Sequence, residues 1–73
     1  MNSATEAMIS VNDAPRPLSP GLRLSGLIGE MGLAEKKGVA VAVNGAVVSR
    51  RDWGARELAE ADRVLVIQAT QGG

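Results

Sequence analysis

Apolar and small or polar residues alternate with a period of two at both ends of this 73-residue chain, and with a helical period once in between. From Glu6 to Asn12 the alternation puts Ile9 and Val11 on one face and Met8 and Ser10 on the other, which predicts a strand. Asn12-Asp13 is a turn signal, and Pro15 and Pro17 after it exclude helix and favour extended structure at a sheet edge. Arg16 to Leu18 reads as the short return strand of an N-terminal hairpin. Ser19-Pro20 then signals a helix start, with a hydroxyl at the N-cap and proline at the first helical position. Leu24, Leu27, Ile28 and Met31 follow at i, i+3, i+4 and i+7, one apolar helical face, and Gly32 reads as the residue just past its end. Gly26 and Gly29 inside the helix each cost about 1 kcal/mol against alanine. The helix therefore depends on packing, and its small residues would let it approach a sheet closely.

Val39 to Val43 alternates valine with alanine, as expected of a strand covered on at least one face and flanked on both sides. Asn44-Gly45 is the strongest hairpin signal in the chain, because a type I′ turn needs positive φ at both central residues. Ala46 to Ser49 is the predicted return strand, and Arg50 to Ala61 is a polar, irregular stretch anchored by Trp53 and Leu58. Arg63 to Ala69 is the last strand, and its run Val64-Leu65-Val66-Ile67 is apolar enough for a central position. Residues 1–5 are expected to be disordered, and Thr70 to Gly73 to leave the domain as a flexible tail. Fully extended, residues 68–73 would reach on the order of 20 Å. The order strand, strand, helix, strand, strand, loop, strand predicts an α+β domain with a mixed sheet of four to five strands packed on one helix. That is the β-grasp arrangement of ubiquitin.

Length and composition narrow what such a domain can do. Seventy-three residues make one small domain whose core supplies only about 3–5 kcal/mol. Cysteine and histidine are both absent, so no disulfide and no thiolate or imidazole metal site is available. Without His, Cys or Tyr the chain lacks the usual general bases and its most reactive side-chain nucleophiles, and it reads as a participant in chemistry and not as an enzyme. Eight basic and eight acidic residues cancel, and Trp53 is the only aromatic, which makes a poor nucleic-acid binder. No apolar run is long enough to cross a membrane, and the first residues lack the regions of a signal peptide. The expected location is cytoplasmic.

The chemistry is expected at the end of the sequence, Gln71-Gly72-Gly73. Two glycines without Cβ atoms make the narrowest and most flexible way to present a terminal carboxylate to a slot in another protein. Other groups have plainer readings. Arg50-Arg51 suits a solvated loop better than a contact with an acidic partner, and Trp53 suits a loop anchor better than an interface hot spot. Asp52, Glu57, Glu60 and Asp62 are spaced too irregularly for a metal or acid–base cluster and are assigned to turns and solubility.

Several segments together resemble the ThiS family, the sulfur carrier proteins of thiamine biosynthesis. They are Met8 to Asn12, the helix segment Leu27 to Leu33, Val39-Ala40-Val41-Ala42-Val43-Asn44-Gly45, Val47-Val48 with Arg50 and Trp53, Leu58 before Asp62-Arg63-Val64, and the closing Gln71-Gly72-Gly73. Ala61 departs from the pattern, standing where the family usually has glycine before the aspartate of a tight turn, and the first several residues are an extension. The resemblance implies that the Gly73 carboxylate, ionised at neutral pH with an ordinary pKa of about 3.5, attacks the α-phosphate of ATP. This would happen in an adenylyltransferase similar to the ubiquitin-activating enzymes (ThiF type), which uses ATP-magnesium; no cofactor is bound permanently to the carrier. Sulfur from a persulfide donor would then displace AMP and leave a C-terminal thiocarboxylate, which thiazole synthase (ThiG type) would accept. Docking on both enzymes is expected to use the side of the sheet not covered by the helix. The alternatives are a molybdopterin-synthase small-subunit type of carrier, a ubiquitin-like protein modifier, and a non-covalent β-grasp binding module with an incidental tail.

Overall fold

Both asparagine-led turns fold tightly, with positive φ at each central residue: 52° and 68° at Asn12-Asp13, 53° and 85° at Asn44-Gly45. They create two hairpins, and those hairpins are four-fifths of the sheet. The computed structural model describes residues 7–69. Its first hairpin joins β1 (Met8–Val11) to β2 (Ala14–Pro17), and its second joins β3 (Val39–Val43) to β4 (Ala46–Val48). The last strand, β5 (Arg63–Gln68), enters between them, parallel to β1 and antiparallel to β3. The spatial order is β2-β1-β5-β3-β4, with one helix, α1 (Leu24–Glu30), on one face. This is the expected β-grasp architecture with the full five strands, and the last strand in sequence is the middle one in space.

The return strand of the first hairpin begins at Ala14, two residues earlier than the sequence pattern placed it. Its register explains the two prolines. Ile9 faces Arg16, and the Leu18 N–H bonds to the Ala7 carbonyl at 2.9 Å, so Ala14, Arg16 and Leu18 turn their backbone groups toward β1. Pro15 and Pro17 fall on the alternate positions, where an N–H would point off the sheet edge and is not missed.

Alternation sorts the side chains of every strand. Ile9, Val11, Val41, Val43, Val64 and Val66 are buried beneath the helix, which contributes Leu24, Leu27 and Ile28, each 0% exposed. Burying a side chain of this size is worth about 1.5–3 kcal/mol before the cost of ordering the chain, so these nine are the main favourable term set against that cost. Trp53 and Leu58 from the long loop complete the core.

Helix α1 starts later than expected. Ser19 and Pro20 form a turn instead, closed by Leu22 N–H to the Ser19 carbonyl at 3.1 Å, because Gly21 follows at φ +76° and leaves the helical region. The N-cap is Arg23 in extended geometry with no side-chain cap. The loop supplies what a cap would have: Leu24 N–H bonds to the Arg56 carbonyl at 2.8 Å and Ser25 N–H to the Trp53 carbonyl at 3.0 Å. At the other end Gly32 sits at φ +75° as expected, with Gly32 N–H on Gly29 and Leu33 N–H on Ile28, the paired bonds of a Schellman ending. Gly26 and Gly29 lie on the exposed face, so they do not bring the helix closer to the sheet; the stripe of Leu24, Leu27 and Ile28 occupies that side.

Asp62 is the one buried charged residue among those described, and it ties three strand ends together. Its carboxylate accepts from Asn44 Nδ2 at 2.9 Å and from the Ala59 N–H at 2.8 Å, and its carbonyl accepts the Ser10 N–H at 3.0 Å. Ala61 precedes it at φ +72°, a left-handed conformation that costs an L-residue about 1–2 kcal/mol. The departure from glycine at this turn is thus accommodated by strain, with Ala61 N–H held on the Met8 carbonyl at 2.7 Å.

Two outcomes follow for stability, both readable from urea unfolding midpoints. Ala61→Gly removes the strain at the expense of a more flexible unfolded chain, and the net expectation is a gain of about 0.5–1 kcal/mol. Asp62→Ala strips the Ala59 N–H and the Asn44 amide of their acceptor and is expected to cost about 2 kcal/mol. An Ala61→Gly protein no more stable than the parent would mean that the turn is not strained.

Candidate functional site

Gln71, Gly72 and Gly73 lie outside the described residues, and what the structure defines is the platform from which they issue. Strand β5 carries the chain to Gln68 and keeps its ladder to β3 to the end: Gln68 lies opposite Val39, and Ala69 N–H bonds to the Gly38 carbonyl at 2.8 Å. On its other side β5 is held only along its first half. Ser10 and Val11 pair with Arg63 and Val64, and the side-chain oxygen of Asn12 accepts the Val66 N–H at 2.8 Å. The root of the tail is therefore fixed by β3 and by the turn at Gly38.

The face of the sheet away from α1 is apolar. Four large hydrophobic side chains are exposed among the described residues, and all four belong to it: Val47 (80% exposed), Ile67 (63%), Leu65 (43%) and Met8 (37%). The register brings three of them together. Leu65 lies beside Ala42, which lies beside Val47, and Ile67 lies beside Ala40. The two alanines are too short to cover their neighbours, so the patch is continuous across β5, β3 and β4. Arg63 stands at one end of it, its guanidinium 3.9 Å from the Asp13 carboxylate, and a shallow depression between Arg63, Leu65, Asn44 and Gly45 opens at the same end. Contiguous exposed apolar surface with a charged rim is the ordinary anatomy of a docking surface. Leu65 and Ile67 sit on the strand that leads toward Gln71-Gly72-Gly73.

Sequence reasoning located this face but named no residues on it. The valines turn out to be the wrong place to look: of the sheet valines, Val47 alone is on the open side. The run Val64-Leu65-Val66-Ile67 concealed its alternation because both faces are apolar there, although the β-branched valines point inward and the larger Leu and Ile outward.

Other groups find structural places. Trp53 is 4% exposed and donates its indole N–H to the Val48 carbonyl at 3.0 Å; it is the expected loop anchor, and its burial removes the interface reading. Arg50 is exposed but is not a free loop cation. Its guanidinium donates to the carbonyls of Ala34 (2.8 Å) and Lys36 (2.7 Å) and lies 4.6 Å from the centre of the Trp53 ring, clasping the loop after α1 to the turn Arg50–Asp52. Among the described residues no three Asp or Glu side chains gather as metal ligands, and Asp62 is turned inward to its hydrogen bonds. No helix is long and apolar enough to cross a membrane.

Comparison with known proteins agrees with this geometry. The sequence model of the ThiS family matches residues 9–73. The crystal structure of a thiamine biosynthesis protein, ThiS, from Geobacter metallireducens superposes with a TM-score of 0.75 at 25% identity, covering 90% of this chain and 99% of the other. A solution structure of a thiamine biosynthesis protein from the same organism gives 0.74 at 25% identity, covering 90% and 87%. A search of curated proteins gave no match. Matched in sequence over nearly its whole length and in space through sheet and helix, the chain belongs to the ThiS family.

Proposed function

We propose that this protein is a sulfur carrier of thiamine biosynthesis, in which the Gly73 carboxylate is the reacting group and the open sheet face is the part that docks. The observation that supports this best is the continuity of the two: Leu65 and Ile67, exposed on the apolar face, lie on the strand that runs into Gln71-Gly72-Gly73. A binding module with an incidental tail has no need of that continuity.

The chain contributes no side chain to the chemistry. A carboxylate oxygen of Gly73 attacks the α-phosphorus of ATP in an adenylating partner, pyrophosphate leaves, and an acyl-adenylate forms. A donor persulfide attacks the acyl carbon and AMP departs; a second thiol then cleaves the sulfur–sulfur bond, becoming part of a disulfide and leaving the thiocarboxylate. Thiazole synthase takes the sulfur from there. The carrier's share is presentation. The glycine pair lets the acyl carbon reach a confined site, and the absence of cysteine means that no thiol of its own competes for the activated carbonyl.

Docking and chemistry separate experimentally. After incubation with the adenylating partner, ATP-magnesium and a persulfide donor, intact-mass measurement is expected to show the gain of one oxygen replaced by sulfur, localised to Gly73. An unchanged mass, with no adenylate even when sulfur is withheld, would remove the carrier reading. The double variant Val47→Thr/Ile67→Thr keeps β-branched side chains, and with them strand propensity, while making the patch polar. Its KM as a substrate of the adenylating partner is expected to rise about tenfold with kcat unchanged, the loss of about 1.4 kcal/mol typical of interface anchors. An unaltered KM would place docking elsewhere.

A further inference from the structure

Four glycines in the described chain have strongly positive φ: Gly21 (+76°), Gly32 (+75°), Gly38 (+76°) and Gly45 (+85°). At three of them the backbone conformation is the whole reason for glycine, since a Cβ built there would have no heavy atom within 4 Å. Gly38 differs. A Cβ at Gly38 would stand 3.3 Å from the Ala69 carbonyl oxygen, 3.4 Å from the Ala69 Cβ and 3.7 Å from its nitrogen. The Ala69 N–H meanwhile donates to the Gly38 carbonyl at 2.8 Å. Two pieces of backbone, one entering β3 and one leaving β5, are thus in contact where the tail begins, and a methyl group at residue 38 would crowd the Ala69 carbonyl, which would have to give by a few tenths of an ångström.

We propose that Gly38 is a positioning residue for the tail: its bare backbone sets the direction in which the chain leaves β5, and hence where Gly73 arrives when the domain is docked. The proposal rests on the carrier reading for its consequence, though not for its geometry. Four residues, 70–73, separate this root from the end of the sequence, and four residues span at most about 14 Å. Within so short a reach, a tilt of about 10° at the root shifts the region open to the carboxylate by about 2 Å. Reacting groups tolerate little of this, for a misplacement of about 1 Å costs up to about 100-fold in rate.

Gly32 provides a matched control, because it has the same φ within a degree, sits at the end of α1, and has open space where a side chain would go. Gly38→Ala and Gly32→Ala therefore carry the same left-handed strain, and only the first touches the tail root. Gly38→Asn serves as a second variant, since asparagine tolerates positive φ while keeping the Cβ. The first measurement is amide hydrogen exchange at Ala69. It is expected to be about tenfold faster in both Gly38 variants than in Gly32→Ala, where local opening at this amide is unaffected. The second is steady-state activation by the adenylating partner with ATP-magnesium. The Gly38 variants are expected to lose about 10- to 100-fold in kcat with KM within about twofold, the docking face being untouched, while Gly32→Ala keeps both. Equal exchange at Ala69 in the two series would overturn the contact, and faster exchange with unchanged kcat would overturn its role in positioning. If the partner fails to activate even the parent protein, the carrier reading fails and takes the positioning role with it, while the exchange contrast still decides whether Gly38 fixes the root.

Discussion

A helix of seven residues has to cover one face of a five-stranded sheet, and most of this structure is a response to that shortage. Leu24, Leu27 and Ile28 are spent entirely on the centre of the sheet, with none of their surface left in water. What the helix cannot reach is covered by the chain between β4 and β5. That segment delivers Trp53 and Leu58 into the core and pairs with the approach to the helix: the backbones of Arg23 and Glu57 form an antiparallel bridge, and Leu58 N–H bonds to the Leu22 carbonyl at 2.9 Å. Its carbonyls also receive the helix's first N–H groups. A stretch that looks irregular is therefore the second half of the layer packed on the sheet, and Arg50 clasps it to the loop beyond the helix.

With all the covering elements on one side, the opposite face stays open. Its composition shows that it is not simply surplus. Alanines on β3 keep the centre low, and the larger residues stand around them on β5 and β4. Strand β5 joins the two halves of the molecule: Val64 and Val66 point into the core, Leu65 and Ile67 point out, and the backbone continues toward the glycine pair. One strand thus holds the fold together, lines the open apolar face and leads toward the C-terminal glycines.

The architecture was legible because its determinants are local. Asn12-Asp13 and Asn44-Gly45 announce their turns in two residues each, the Val-Ala alternation of β3 shows its faces openly, and the helical stripe has the spacing of one face. The errors fall where a distant partner replaces a local signal. Ser19-Pro20 is a good helix start on its own terms, but Gly21 and the loop carbonyls of Trp53 and Arg56 move the start to Leu24. Arg50 reads as a loop cation because its acceptors, the carbonyls of Ala34 and Lys36, lie 16 and 14 residues away. Gln71-Gly72-Gly73 is a motif outside the described residues, whereas the residues of the open face could not be named from sequence, since exposure of Leu65 and Ile67 depends on which side the helix takes.

The placement of β5 also bears on how the protein is made. Strands β1 and β3 are never neighbours; the two hairpins are joined to each other in the sheet only through β5. A nascent chain interrupted before residue 63 would consist of two hairpins and a helix sharing no ladder, and isolated hairpins are marginal in water. Reaching the folded state thus certifies that synthesis has passed the central strand, a few residues short of the tail. Proteases that clear unfolded chains would remove with them every copy made without the strand from which the tail issues.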